Sequence, residues 1–204
     1  MSTRTRTRSR RSTRRSLLTV LAVVLALVWA FPVYWMLNSA FLDTVTLQRS
    51  TPTFLPFGGS LDNFRTVVED PGFVRALGIS LVVTLTTVVA AIVIAFLGAL
   101  AISRFQAFMR ITFPLLAPGL VASGVYAFLQ AWNEFTVALV ILQAQEYQTL
   151  PLWLRGFVQA SATRATDWGQ VMAASTLVAV PVIVFFLIVQ GRLTSGLVAG
   201  AVKG

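Results

Sequence analysis

Four stretches of this chain, 17–37, 74–102, 113–142 and 171–189, are apolar over about the 20 residues that an α-helix needs to cross a bilayer. Lipid offers the backbone no hydrogen-bond partner, so segments of this kind must bond their amides to their own carbonyls as helices. The run from Val74 to Ile102 is rich in Val, Ile, Leu and Ala, with Thr84, Thr86 and Thr87 inside, and would suit a buried strand by composition. Its length selects a transmembrane helix instead. Charged residues make up 11% of the chain and the mean hydropathy is +0.79. The expected fold class is therefore an all-α integral membrane protein with four transmembrane helices.

The polar segments between these runs set the expected topology. Seven arginines, Arg4, Arg6, Arg8, Arg10, Arg11, Arg14 and Arg15, precede the first span with no acid among them. Such an arm could grip nucleic acid. Directly ahead of a span it reads as a cytoplasmic orientation signal that also touches anionic lipid. Residues 1–16 are thus expected to be a basic cytoplasmic arm, with membrane lipid and not nucleic acid as its partner. The apolar run from Leu17 to Leu37 is longer than the core of a signal peptide, so the first span is read as uncleaved. The arm, the turn around Arg104 and Arg110, and the tail with Arg192 and Lys203 hold eleven cations and no acid. The two intervening loops, with Arg75 at their edge, hold five cations and six of the seven acids. That bias gives N-in and C-in.

The two loops on the other side are read as external. In the first, Pro52, Pro56, Gly58 and Gly59 supply turn chemistry, and Ser60 would cap one small surface helix. The second, roughly 143–168, carries Trp153 and Trp168 as expected interface anchors. Pro32 and Pro181 would kink the first and last spans.

Catalysis has little to work with. The chain has no histidine and no cysteine, and no glycine-rich phosphate loop. An enzyme is not expected, nor any cofactor or metal site. Glu134 is the ionisable side chain that falls within a span. A carboxylate in lipid is costly, so it should face protein or water. It either lines a transport path or reaches water at the outer interface, and Asn133 beside it could bond across helices.

Between the second and third spans the sequence reads Gln106-Ala107-Phe108, then Ile111, Pro114 and Pro118. This spacing resembles the second half of the signature loop of ABC importer permeases, with Phe113 where leucine is usual. Ala131-Trp132-Asn133-Glu134-Phe135, Thr149-Leu150-Pro151, Asp167-Trp168-Gly169, Met172-Ala173-Ala174-Ser175 and the terminal Gly200-Ala201-Val202-Lys203-Gly204 resemble stretches of the maltose-type carbohydrate permeases. Upstream, Thr53-Phe54-Leu55-Pro56 and Leu61-Asp62-Asn63-Phe64 resemble their first external loop. The resemblance covers residues 17–204 as one permease-like domain.

That resemblance implies a six-span core. Here Phe105 runs directly into Gln106, so two spans and the Glu-Ala-Ala and Asp-Gly-Ala head of the signature loop are missing. An even number of lost spans preserves the sidedness of everything downstream. The family further implies a bacterial inner-membrane location, a second permease subunit, a cytoplasmic ABC ATPase dimer and an extracytoplasmic solute-binding protein. Gln106, Ala107, Phe108, Ile111, Pro114 and Pro118 would be the ATPase-docking residues, and Asn133 and Glu134 the candidate transport-path residues. Two alternatives stand beside the transport reading: a truncated, non-transporting remnant, and an unrelated four-span protein, which explains none of the matched strings.

Because native cysteine is absent, single cysteines at Ser12, Ser60, Ser161 and Ser195 test the topology cleanly. An impermeant thiol reagent on intact cells is expected to label positions 60 and 161 and to leave 12 and 195 unlabelled.

Overall fold

The structure, a computed structural model, describes residues 7–102, 113–163 and 167–201. Eight α-helices carry these residues. Helix α1 is Thr7–Ala40, α2 is Thr44–Leu47, α3 is Asp62–Glu69 and α4 is Pro71–Ile102. Helix α5 is Phe113–Trp132, α6 is Thr136–Ile141, α7 is Leu150–Thr163 and α8 is Trp168–Ala201, with a 3-10 turn at Gln145–Tyr147 ahead of α7. Four stretches are long and apolar enough to cross a membrane: Ser16–Ala40, Pro71–Ala101, Gly119–Ile141 and Trp168–Gly191. The four-span, all-helical fold class expected from the sequence is thus the one observed. Helices α1 and α8 run uninterrupted through Pro32 and Pro181.

The long helices form an open row. Helix α1 packs along α8, α8 against α5, and α5 against α4. The start of α1, the end of α4, the start of α5 and the end of α8 share one end of this row, here the link end. Helices α2, α3 and α7 gather at the opposite end, here the cap end. Helix α3 packs on α8 and α4, and α7 on α4 and α8.

The buried core sits toward the cap end. It joins Ala40, Val67, Phe73, Ala76, Phe128, Trp132, Leu150, Trp153, Ala173 and Ala174. By contrast, the apolar residues of α1 from Leu17 to Val33 are exposed. Helices embedded in lipid gain nothing from burying one apolar surface against another, because the surrounding tails are equally apolar. Packing therefore concentrates where the cap helices add interior.

The cap differs from its expected form in three ways. The second loop is largely the helix α7, whose Leu152 and Trp153 turn inward. Trp153 is a core residue and not an interface anchor: its ring meets Phe73 at 5.2 Å and Phe157 at 5.0 Å. The first loop holds two short helices where one was expected, and α3 begins one residue late, after Leu61. Ser60 Oγ still accepts the Asp62 N–H at 3.0 Å, so its capping chemistry is retained.

A polar clasp ties the exit of α1 to the entry of α8. Asn63 Nδ2 donates to the carbonyls of Ala40 at 3.0 Å and Leu42 at 2.9 Å. The Thr44 hydroxyl donates to Asp167 Oδ1 at 2.5 Å, and the same oxygen accepts the Gln170 N–H at 3.2 Å. Tyr34 donates its hydroxyl proton to the Phe54 carbonyl, while Trp35 meets Phe54 edge-on at 5.8 Å, pinning the intervening loop. At the N-terminus of α2, hydrogen bonds from Thr46 hold the Asp43 carboxyl below its ordinary value. A depressed carboxylate stabilises the fold above its unfolded pKa, and that contribution is lost as pH falls.

Gly169 sits inside the clasp. A Cβ there would lie 2.5 Å from the Leu42 carbonyl oxygen and 2.6 Å from Asn63 Nδ2. Gly169→Ala is expected to cost about 1–3 kcal/mol through this overpacking. Gly78 in α4 has nothing within 4 Å of a Cβ. Gly78→Ala should leave stability unchanged or raise it by up to about 1 kcal/mol, from helix propensity alone. Thermal unfolding of both variants in detergent checks the contrast.

Candidate functional site

Helix α5 carries two faces of opposite character. Phe128 and Trp132 are buried on one, with Phe128 stacked on Phe185 of α8 at 3.8 Å and on Trp132 at 5.9 Å. Tyr126 and Gln130 are exposed on the other, at the i, i+4 spacing of one helical face, and Asn133 and Glu134, just past the end of α5, are exposed as well. Tyr126 is 66% exposed, and Gln130 Nε2 donates to its hydroxyl at 3.2 Å. All four lie inside the candidate span Gly119–Ile141. Polar side chains at that position require water or protein opposite them.

The helix breaks where this face ends. The long third apolar run of the sequence is two helices, α5 and α6, separated at Asn133, Glu134 and Phe135. Asn133 closes α5: its backbone N–H and its Nδ2 both donate to the Leu129 carbonyl, at 3.1 and 2.8 Å. Glu134 opens α6: its Oε1 accepts the Val137 N–H at 2.6 Å. A carboxylate three residues ahead of the amide it accepts satisfies a free first-turn donor and favours the helix N-terminus electrostatically. Arg155 of α7 lies over the Phe135 ring at 6.0 Å, linking the break to the cap. Irregular backbone at membrane depth persists where it borders protein or a water-filled cavity.

Asn133 and Glu134, singled out in the sequence, are both exposed, at the break that follows α5. Tyr126 and Gln130 are exposed on the last turns of α5, and their i, i+4 relation to each other was readable in the sequence, although neither is acidic. The other candidate residues are placed differently. Gln106, Ala107, Phe108 and Ile111 lie outside the described residues. Pro114 falls in the first turn of α5, where the missing N–H has no helical partner to lose, and α5 continues through Pro118. Among the described residues, no group of three or more acidic side chains stands together as a metal site would require.

Trp132 Nε1, Thr84 Oγ1 and Thr149 Oγ1 are buried and find no hydrogen-bond partner among the described residues. Buried polar groups of this kind are what enclosed water satisfies.

The break separates two roles of Glu134. Glu134→Ala removes the cap acceptor and is expected to lower stability by about 1 kcal/mol. Glu134→Gln keeps an oxygen that can accept the Val137 N–H, so its unfolding temperature should stay close to that of the parent. Thermal melts of the two variants side by side test this, and leave Glu134→Gln as a folded probe of the charge.

Comparison with known proteins bears on the family and the fold. No family model matches the chain. It is 30% identical to the diacetylchitobiose uptake system permease protein DasC of Streptomyces coelicolor, over 85% of this chain and 92% of that protein. The alignment runs over 256 residues, more than the 204 of this chain, so part of DasC has no counterpart here. The inner membrane ABC transporter permease protein YcjP of Escherichia coli is 38% identical over 50% of this chain but only 36% of its own length. Among solved structures, a bacterial ABC transporter that imports the acidic polysaccharide alginate shares the fold. Its TM-score is 0.73 at 16% identity, covering 88% of this chain and 96% of that one. The chain, a multi-pass inner-membrane protein, belongs to the family of permease subunits of carbohydrate-uptake ABC transporters.

Proposed function

We propose that this chain is the membrane-spanning permease subunit of an ABC importer for a carbohydrate, with its path helix retained and its coupling to the ATPase weakened. The observation that carries the path is the exposure of Tyr126 and Gln130 on α5, and of Asn133 and Glu134 at the helix break that follows it, within a span. Aromatic, amide and carboxylate side chains in a row suit a polyhydroxylated solute. The hydroxyls trade hydrogen bonds with water for bonds to the amides and carboxylate, and a ring face covers the apolar side of a sugar. The diacetylchitobiose permease and the alginate importer support carbohydrate as the class.

The partners follow from the same reading: a second permease subunit, a cytoplasmic ATPase dimer and an extracytoplasmic solute-binding protein. The arginine bias supports a cytoplasmic link end, with residues 1–16 lying against lipid headgroups, residues 17–204 forming the permease domain and both termini inside. The cap then faces the solute-binding protein.

Coupling is where the chain departs from its relatives. The part of DasC without a counterpart supports an internal loss, which we place between α4 and α5. Ten residues, 103–112, join Ile102 to Phe113. As a helix they would span about 15 Å with both ends tied to the membrane. So short a link leaves Phe108 and Ile111, one face of a docking helix, without the turns that would fix their pose. A few buried anchors supply most of the energy of such a contact, and their mispositioning weakens it broadly. The same observation favours a second reading, in which the chain inserts but transports nothing.

Co-expression with the cognate ATPase, detergent pull-down and ATPase assay with binding protein and sugar separate these outcomes. The chain as it stands is expected to retain the ATPase weakly and to stimulate hydrolysis on the order of tenfold less than a version with the missing spans and loop head restored. Full stimulation by the 204-residue form would remove the coupling defect from the proposal. Failure of the restored version with every sugar offered would remove the importer reading.

A further inference from the structure

The loop between α2 and α3 turns back along α1. Asn38 Nδ2 donates to the Thr53 carbonyl at 2.8 Å. One turn earlier in α1, the Tyr34 hydroxyl donates to the Phe54 carbonyl. The Phe54 ring meets Trp35 edge-on at 5.8 Å, and Trp35 stacks on Phe31 at 6.1 Å. Phe54 thus joins an aromatic group that belongs to the span. The return is abrupt. The Phe57 N–H donates to the Leu55 carbonyl at 2.8 Å and the Gly59 N–H to the Pro56 carbonyl at 3.0 Å. Gly58, at a φ of +74°, supplies the left-handed position of this second turn. The Ser60 N–H then donates to the Phe41 carbonyl at 2.9 Å, past the end of α1.

These contacts set the depth of the loop. Tyr34 and Trp35 lie inside the span Ser16–Ala40, about 7–9 Å before its end. That span has 25 residues, and the hydrocarbon core takes about 20 of them. Tyr34 and Trp35 therefore stand near the level where acyl chains give way to headgroups, the level that tyrosine and tryptophan favour. Phe31, Val33, Tyr34 and Leu37 of α1 are exposed around the loop. On the cap, Arg65 and Glu69 of α3 form an exposed ion pair at 2.7 Å, as a water-facing surface allows.

Two features of the loop suit lipid better than water. Residues 50–61 carry no charge, and Phe54, Leu55 and Phe57 are all exposed, Phe57 at 81%. Each carbonyl from Thr53 to Pro56 is met by a donor of the chain itself, and Pro52 and Pro56 have no N–H to satisfy. A loop in water can leave these groups to solvent, whereas a bilayer requires them to be met internally.

We propose that residues 53–57 form an interfacial membrane anchor, a re-entrant tip that rests in the headgroup–acyl boundary of the leaflet at the cap end. Leu55 and Phe57 touch lipid there, and the tip sets the level of the cap on the bilayer through the helix it lies along. Such an anchor gains from buried apolar area without spanning. It depends on the spans lying in a bilayer and not on transport.

The test uses the full 204-residue chain, which has no native cysteine, reconstituted into vesicles of phosphatidylcholine and phosphatidylglycerol. A nitroxide is attached to Leu55→Cys and read by power saturation against oxygen, which partitions into lipid, and against a neutral nickel chelate, which stays in water. Val24→Cys in α1 and Thr66→Cys in α3, both at exposed positions, give the lipid and water references. The oxygen-to-nickel ratio at position 55 is expected to exceed that at 66 severalfold and to approach that at 24. Circular dichroism checks that the helices persist. If Leu55→Cys does not fold, Phe57→Cys, read in the same way, decides. A ratio equal to that at position 66 would place the loop in water and overturn the proposal. Shielding of the label from both reagents would overturn it equally, since a partner protein or a second copy would then cover the tip.

Discussion

Burial of apolar surface from water can hold this bundle together only where water is present, and the cap end is that place. Val67 of α3 and Leu150 and Trp153 of α7 are not part of the spans, yet they meet Ala40, Phe73, Ala173 and Ala174 in one core. Each span contributes its cap-end turns, and the cap helices supply the remainder. Further along the spans, contact falls to individual fittings such as Ile92 against Gly124 and Phe96 edge-on to Phe113 at 5.8 Å. The clasp of Asn63, Thr44, Asp167 and Gly169 then fixes the relation between α1 and α8 that the core alone would leave loose. The polar side of α5, Tyr126 and Gln130, is left exposed by this arrangement because its opposite face, Phe128 and Trp132, is committed to the core.

The spans were legible because length and hydropathy suffice where solvent is lipid. The cap was less so. Helix α7 carries Leu150, Leu152 and Trp153 at positions that a loop between two spans also tolerates, and a tryptophan near a membrane end ordinarily signals the interface. Its burial depends on Phe73, some eighty residues earlier, and no local pattern reports such a contact. Gly169 is similar: the need for a missing side chain comes from the Leu42 carbonyl and Asn63. Asn133 and Glu134 stood out as polar residues in an apolar run, but the run looked continuous because the six residues of α6 are as apolar as α5 itself. The break is written only in the capping chemistry of those two side chains, which is also compatible with an unbroken helix.

The matched strings upstream and downstream fall largely on the cap, α5 and α8, the parts that hold the row together. Helices α4 and α5, joined in sequence by ten residues, approach directly, with Gly124 against Ile92. An apolar slot of about 270 Å³ is left between them and α8.

The core residues are spread along the chain from Ala40 to Ala174, so no part of the core is complete until α8 has been synthesised. During biogenesis α4, α5 and α7 can already pack on one another, whereas α1 waits in the bilayer for α8, the helix it packs along. Completion of the core is a late event, reached when the entry of α8 brings Ala173 and Ala174 to the waiting residues. A chain interrupted before residue 168 leaves α1 without that neighbour, a substrate for membrane quality control.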